Sequence, residues 1–167
     1  MLRLILMRHA KSDWNHIGLA DHDRPLNKRG KASAKALGDW LREKGYIPQE
    51  VFCSSAERTG QTLLRLQLGT SPDTKYTRAL YHADAQSMLT VLHGATAPCV
   101  LMLGHNPGIC EFAHRLVCDP PGHDRFSDYP TGATLVCDFD APDWAEVGWF
   151  KGSVVDFVVP RELLADE

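Results

Sequence analysis

The chain has 167 residues, of which 44% are hydrophobic and 23% charged, with a formal net charge of −3. This composition is typical of a folded globular protein and excludes wholesale disorder. A nucleic-acid-binding protein carries a basic surface, which this balance of charges disfavours. We therefore expect one folded domain over residues 1–167, with no nucleic acid as a partner.

The sequence also indicates a cellular setting. No apolar run approaches the roughly 20 residues that a membrane span needs, and the apolar start is too short for a secretory signal. The five cysteines are scattered and form no CxxC pair, which is typical of a reduced compartment. We expect a cytoplasmic protein with no membrane partner. The sequence predicts no oligomeric state.

The first elements alternate between a short apolar run and a helical pattern. Leu2–Met7 is apolar except for one arginine, which predicts a strand covered on both faces. Apolar residues recur at helical spacing over Lys31–Lys44, and Gly45 marks the end of that predicted helix.

A second strand and helix follow. Val51–Cys53 is a strand candidate, and Ser54 and Glu57 fit a capping box that opens a helix. We expect this helix to run to about Leu68. A weaker strand pattern surrounds Tyr76.

The middle of the chain contains the clearest buried strand, Cys99–Leu103. Before it, Asp84 is predicted to cap a helix. After it, Asn106 and Pro107 are predicted as the cap and first residue of another helix. The Pro-, Gly- and Asp-rich segment 119–131 is predicted to be a loop.

The pattern in the last part of the sequence predicts two strands, Ala133–Phe139 and Val147–Val158, without a helix between them. Four strand–helix units followed by a strand pair predict an α/β three-layer sandwich. Its central sheet is expected to be mainly parallel, with helices on both faces.

Four candidate functional residues follow the predicted strands. Working sites of such sheets lie at the carboxyl ends of the strands. Arg8 and His9 follow the first strand, Arg58 lies in the helix after the second strand, and His105 follows the fourth strand. We therefore expect two imidazoles and two guanidinium groups to meet at one edge of the sheet.

This set of side chains suits phosphoryl transfer. A neutral imidazole is a good nucleophile near pH 7, and arginines bind phosphoryl oxygens through charge-assisted hydrogen bonds. The set predicts attack by His9 on phosphorus, giving a phosphohistidine that water later hydrolyses, while His105 hydrogen-bonds the phosphoryl group. No zinc-site spacing and no glycine-rich nucleotide motif is present in the sequence, so we expect neither a metal nor a cofactor.

Candidate side chains also have purely structural interpretations. Arg58 is able to pair with Glu57, and His105 fits the turn GHNPG before a helix. Asp84 is better interpreted as a helix cap than as a general acid. Only the joint occurrence of the candidates at matching strand ends favours a functional site.

The motifs RHAKSDW, DHDRPLNKRG, SSAERTGQT and GHNPG, in this order, resemble the histidine phosphatase superfamily. The later segments FSDYPTGATLVCDF and VVPRELL are similar to its small SixA-type phosphohistidine phosphatase branch. The resemblance spans nearly the whole chain and implies a phosphoglycerate-mutase-like fold. It also implies that His9 is the phosphorylated nucleophile, Arg8 and Arg58 the arginines of the phosphate pocket, and His105 the second histidine.

Three further positions follow from the resemblance alone. Arg24 matches a residue that reaches toward the phosphate, and Ser12 and Asn15 match residues that help to bind it. Ala10 replaces the glycine of the superfamily's RHG motif, which is a sterically mild change.

The acid that protonates the leaving group in larger relatives has no clear counterpart here. In the corresponding segment, LYHADAQ, the candidates are His82 and Asp84; Asp13, Asp21 and Asp23 come from an earlier segment. A phosphoramidate leaving group needs less help from an acid than an alkoxide does, which favours a phosphohistidine substrate.

The sequence has no long insertion that would form a large lid, and a shallow site admits a side chain of another protein. We therefore expect a metal-independent phosphatase that acts on a phosphohistidine-containing protein. One alternative is a phosphatase of small phosphorylated substrates on the same scaffold, a phosphomonoesterase. Another is a non-catalytic module that binds phosphate or a phosphoprotein.

Overall fold

The computed structural model describes residues 1–69 and 71–164, and within them strands and helices alternate along most of the chain. The strands are β1 (Leu2–Arg8), β2 (Glu50–Ser54), β3 (Asp73–Thr77), β4 (Cys99–Gly104), β5 (Thr134–Phe139) and β6 (Ser153–Val158). The α-helices are α1 (Lys28–Lys44), α2 (Glu57–Leu66), α3 (Ala85–His93), α4 (Gly108–Leu116) and α5 (Pro160–Leu163). No helix of the described residues is both long and apolar enough to cross a membrane.

The six strands form one sheet in the order β3-β2-β4-β1-β5-β6. The pairs β1–β4, β2–β4 and β2–β3 are parallel, whereas β5 runs antiparallel to β1 and to β6. The predicted α/β architecture with a mainly parallel sheet is therefore confirmed. The antiparallel part is the predicted strand pair at the end of the chain.

The apolar run in β1 reflects burial on both faces of the sheet. Leu4 and Leu6 belong to a core shared with α3 and α4, whereas Ile5 and Met7 belong to a second core with α1. Successive side chains of a strand point to opposite faces, so a strand between two helical layers needs apolar residues at every position. This arrangement confirms the predicted helices on both faces.

Helix α1 is fixed at both ends and packs closely against the segment after β1. The side chain of Asn27 accepts a hydrogen bond from the Gly30 amide at 2.7 Å, and Gly45 ends the helix in the left-handed conformation, as predicted. A Cβ atom at Gly30 would lie 2.0 Å from the carbonyl oxygen of Lys11. Glycine therefore permits the approach of α1 to this segment.

The predicted capping box before α2 is wrong. The N-cap is Ala56, which has no side-chain cap, and the helix ends at Leu66 rather than Leu68. Ser54 is the last residue of β2, two residues before the N-cap, so its hydroxyl accepts from the Ala56 amide rather than from the amide of Glu57. Its buried hydroxyl instead lies 2.8 Å from Nε2 of His105.

Other predicted boundaries also shift, and α1 begins at Lys28 rather than Lys31. The N-cap of α4 is Pro107 rather than Asn106, so this helix begins at Gly108. The last strand covers only Ser153–Val158. The residues before it include a 3₁₀ turn at Trp144, whose buried indole donates a hydrogen bond to the Ala97 carbonyl at 2.6 Å. Within the predicted range, the backbone φ of Phe150 is 61°, which an extended strand does not contain.

Candidate active site

A cavity of about 370 Å³ lies where the carboxyl ends of β1, β2 and β4 meet. The structure brings Arg8, His9, Arg58 and His105 together in its wall, as the positions of the four residues after the strands predict. The other residues of the wall are Lys11, Ser12, Trp14, Asp21, Arg24, Asn106 and Thr131.

His9 is held with one ring nitrogen free. Its Nδ1 lies 2.7 Å from the Ala10 carbonyl oxygen. A carbonyl oxygen only accepts hydrogen bonds, so Nδ1 carries the proton and Nε2 keeps its lone pair. Burial, together with the charges of Arg8 and Arg58, lowers the pKa of His9 to about 3. The imidazole is therefore neutral at pH 7 and available as a nucleophile.

His105 lies beside His9, with ring centroids 5.3 Å apart and ring planes at 51°. Its Nε2 contacts the Ser54 hydroxyl, and its buried Nδ1 has no hydrogen-bond partner. Burial, and then the neighbouring charges of His9 and Arg58, lowers the pKa of His105 to about 2. This imidazole is also neutral at pH 7.

Four buried side-chain atoms of the cavity wall lack hydrogen-bond partners. They are Nε of Arg8, Nε of Arg58, Nδ1 of His105 and Oδ1 of Asn106, and the rest of the described chain has no other such atom. Unpaired buried polar groups are costly and therefore rare in folded proteins. Two guanidinium donors concentrated in one cavity indicate a ligand with several acceptor oxygens, such as an oxyanion.

Asp21 links two arginines of the site. Its carboxylate accepts from Nε and Nη2 of Arg24 at 3.1 and 3.0 Å and from Nη2 of Arg58 at 3.1 Å. Its backbone carbonyl also accepts from Arg58 at 2.7 Å. Partial burial opposes ionisation, but hydrogen bonds from Tyr81 and Arg24 hold the pKa of the Asp21 carboxyl well below its usual range.

Asp21 therefore stays ionised, which suits an anchor for cations better than a proton donor. From the sequence, Asp21 was only a candidate acid. The three-residue spacing between Asp21 and Arg24 is the signal that would have indicated an ion pair.

Arg24 and Ser12 reach the cavity, whereas Asn15 does not. Nη1 of Arg24 donates to the Ser12 hydroxyl at 2.7 Å, and both side chains are buried. The Arg24 guanidinium also lies 3.5 Å from the centroid of the exposed Trp14 ring. Asn15 is exposed and is not part of the cavity wall.

Among the candidate acids, Asp84 is occupied elsewhere. Its carboxylate accepts from the Ser87 amide at 2.8 Å at the start of α3, as predicted for a helix cap. Hydrogen bonds at this helix start lower the pKa of the Asp84 carboxyl. Asp13 pairs with His16, and the exposed Asp23 lies near His22.

His82 is the remaining candidate, and it lies next to the cavity. Its ring stacks on Tyr81 with centroids 4.0 Å apart, and its centroid is 6.0 Å from that of His105. Its Nε2 is 3.4 Å from a carboxylate oxygen of Asp21. The backbone φ of His82 is 56°, a left-handed conformation that is uncommon for residues other than glycine.

Asn106, which the sequence predicted only as a helix cap, is part of the site. The Asn106 side-chain amide donates to the carbonyls of Asp128 and Tyr129, at 3.0 and 3.1 Å, while its Oδ1 lacks a partner. The Tyr129 carbonyl also accepts from Arg8 at 3.2 Å. The loop before β5 therefore holds both side chains, a contact that no local pattern in the sequence indicates.

Known proteins resemble this chain in sequence and in fold. The family model of the histidine phosphatase superfamily (branch 1) matches residues 4–84. An uncharacterized protein of Mycobacterium tuberculosis is 35% identical over 162 residues, which cover 93% of this chain and 100% of that protein. An uncharacterized chloroplastic protein of Arabidopsis thaliana is 33% identical over 127 residues, covering 68% of this chain. That match spans only 58% of the plant protein's length.

A solved structure shows a similar fold over almost the same length. It is that of a candidate phosphohistidine phosphatase SixA from Nakamurella multipartitia, with a TM-score of 0.82 and 29% sequence identity. The match covers 95% of this chain and 96% of that one.

Proposed function

Because the chain belongs to the histidine phosphatase superfamily, in its SixA-type branch, we propose that it is a phosphatase working through a phosphohistidine intermediate on His9. The proposal includes metal-independent hydrolysis of phosphohistidine in a partner protein. The observation that carries it is a neutral, buried imidazole with a free Nε2 in a cavity walled by guanidinium donors.

In the first step, Nε2 of His9 attacks phosphorus. A bond forms between Nε2 and phosphorus as the bond from phosphorus to the substrate nitrogen breaks. The leaving imidazole takes the electron pair of that bond and a proton from solvent. The Ala10 carbonyl accepts the hydrogen bond from Nδ1 throughout this step and stabilises the positive charge that develops on the ring.

In the second step, water attacks the phosphohistidine. A phosphorus–oxygen bond forms, and the bond between phosphorus and Nε2 breaks with its electron pair returning to His9. One proton of the water stays on the released inorganic phosphate, and the other passes to solvent. His9 is thereby restored as the neutral imidazole that its buried setting favours.

The guanidinium groups supply the charge that this reaction needs. Arg8 and Arg58 each have an unpaired Nε–H in the cavity wall, and phosphoryl transfer depends mainly on positioning and on neutralising the phosphoryl oxygens. Asp21 holds Arg24 and Arg58 in place through its carboxylate. Preorganised cations of this kind stabilise the transition state without a metal ion.

Two features favour a phosphohistidine substrate. The described connections between β2 and α3 consist of α2, β3, a 3₁₀ turn and short linking segments, without an inserted lid. The candidate acids Asp21 and Asp84 are also poor proton donors, since Asp21 stays ionised and Asp84 caps α3. An imidazole is a better leaving group than an alkoxide, so it depends less on a strong acid.

A substrate panel tests the proposal. The wild-type protein and His9→Ala are assayed in parallel on a phosphohistidine peptide, on sugar phosphates and on a chromogenic aryl phosphate. We expect the highest kcat/KM on the phosphohistidine peptide and no turnover with the variant. His9 is buried in the cavity wall, so the variant changes the lining of the cavity and not the exposed exterior of the chain.

The alternatives predict other outcomes of the same panel. A small-molecule phosphomonoesterase shows a clearly higher kcat/KM on a sugar phosphate than on the peptide. A binding module hydrolyses nothing while inorganic phosphate still binds, as calorimetry detects. The first result rejects phosphohistidine as the substrate, and the second rejects the enzymatic function itself.

A further inference from the structure

Ser54 is a buried residue next to the cavity that the mechanism above does not use. It is the last residue of β2, and its side chain is fully buried. Its Oγ lies 2.8 Å from Nε2 of His105 and accepts a hydrogen bond from the Ala56 amide at 3.3 Å. The nearby Thr59 hydroxyl donates to the backbone carbonyl of Ser54, so it does not compete for this hydroxyl.

These contacts determine the direction of the hydrogen bond between Ser54 and His105. A serine hydroxyl has one proton to donate, and the Ala56 amide cannot accept it. Nε2 of His105 is the acceptor that lies within reach. A buried hydroxyl proton without an acceptor is costly, so Ser54 donates and Nε2 accepts.

We propose that Ser54 is a positioning residue that holds His105 in the tautomer with its proton on Nδ1. A neutral imidazole carries one proton, so an accepting Nε2 requires a protonated Nδ1. Nδ1 is the nitrogen of His105 left without a protein partner. It is therefore the nitrogen with which His105 donates to an oxygen of the bound phosphoryl group, a consequence that rests on the proposed function.

The two histidines then have opposite roles although both are neutral. In His9 the Ala10 carbonyl holds the Nδ1 proton and leaves the lone pair of Nε2 for attack. In His105 the Ser54 hydroxyl occupies Nε2 and leaves the Nδ1 proton for donation. The other tautomer of His105 would present a lone pair to an anion and repel it.

The tautomer is measurable without any turnover. In the full-length protein labelled with ¹⁵N-histidine, long-range ¹H–¹⁵N spectra distinguish a protonated ring nitrogen from a bare one. We expect a protonated Nδ1 and a bare Nε2 for His105 in the wild-type protein, with and without inorganic phosphate. Ser54→Ala should produce a mixture of tautomers, and Ser54→Thr should restore the wild-type spectrum because it keeps the hydroxyl.

Ser55→Ala is the matched control. It removes the hydroxyl of the adjacent serine, which lies 2.9 Å from Nε2 of His22. The His105 resonances should not change in this variant. A protonated Nε2 of His105 in the wild-type protein overturns the proposal, and this measurement remains decisive even if Ser54→Ala does not fold.

Kinetics on the best substrate of the panel test the catalytic consequence. Ser54→Ala should lower kcat about tenfold, as expected for losing one hydrogen bond, with KM within about twofold. In a His105→Asn background, Ser54→Ala should have no further effect, because an amide NH₂ donates without a choice of tautomer. Equal losses in both backgrounds contradict the positioning role.

The two proposals fail in different ways. A protonated Nδ1 in a protein that hydrolyses no substrate of the panel rejects the proposed function and retains the role of Ser54 in the tautomer. Turnover of a panel substrate by a protein with a protonated Nε2 on His105 retains the proposed function and rejects the role of Ser54.

Discussion

The imidazole rings of His9 and His105 lie 5.3 Å apart, centroid to centroid, at the ends of two paired strands. Arg8 and Gly104 are partners in the parallel register of β1 and β4, and the His9 amide donates to the Gly104 carbonyl at 3.1 Å. The residue after each strand therefore enters the same cavity. Strand pairing, which the core residues determine, sets the distance between the two histidines.

Replacing the nucleophile should abolish turnover. We expect His9→Ala to lose roughly 10³-fold or more in kcat, because His9 is the neutral imidazole of the described cavity wall whose Nε2 lone pair is left for attack. Rapid quench with labelled substrate should trap phosphate on His9 of the wild-type protein. His114→Ala, which replaces an exposed histidine of α4, is the control. Full turnover in His9→Ala would rule out His9 as the nucleophile.

The stability of the fold should decrease as the pH falls below the usual pKa of histidine. Burial lowers the pKa values of His9 and His105 from 6.5 to about 3 and about 2. At a pH between these values and 6.5, the unfolded chain therefore binds more protons than the folded chain. Both contributions are complete above the unfolded pKa and are lost as the pH falls. By about pH 5, each histidine should have lowered the free energy of unfolding by on the order of 2 kcal/mol.

Urea denaturation at a series of pH values checks this dependence. His105→Asn removes one of the two titrating groups and should flatten the decrease in unfolding free energy between about pH 6.5 and pH 5. His114→Asn, at an exposed site, is the matched control and should follow the wild-type curve. A wild-type curve that is flat over this range would contradict the assigned burial effects.

The ion pairs of Asp21 should be needed for catalysis. Asp21→Asn weakens the contacts that orient Arg24 and Arg58, and we expect kcat to fall roughly tenfold to a hundredfold, as for the loss of charge-assisted hydrogen bonds. Steady-state kinetics on the best substrate measure the loss. Asp23→Asn changes an exposed carboxylate two residues away and should leave kcat within about twofold. Equal activity in the two variants would show that Asp21 does not orient the arginines.

Activity should not require a divalent metal. The guanidinium groups of Arg8, Arg24 and Arg58 line the cavity and supply the positive charge that a phosphoryl group needs. After dialysis against EDTA, kcat/KM should stay within about twofold of its starting value. Loss of activity that a divalent ion restores would contradict this prediction.

Local sequence patterns predicted the elements that position the site. A buried strand covered on both faces needs a continuous apolar run, and such runs mark β1 and β4 without knowledge of the fold. In a parallel sheet the carboxyl ends lie at one edge, so the positions of Arg8, His9 and His105 followed from strand ends alone. Arg58 followed in the same way from the end of β2 and the start of α2.

Local sequence patterns did not predict the contacts between distant segments of the chain. Ser54 fits a capping box by sequence, but its strand position turns the hydroxyl to His105. Asp21 is one of several carboxylates in an irregular segment, and only the fold brings it within reach of Arg58 and Tyr81. The fold also leaves Asn15 exposed and outside the cavity wall, although the family motif includes it.

The sequence by itself determined the order of strands and helices, the two faces of the sheet and the histidines and arginines at the strand ends, because periodicity and burial act along a single element. Only the tertiary structure decided the tautomer of His9, the hydrogen-bond partner of His105 and the ion pairs of Asp21. Those properties depend on distances of a few ångströms between segments far apart in the chain, and such distances are set when the helices and the sheet pack together.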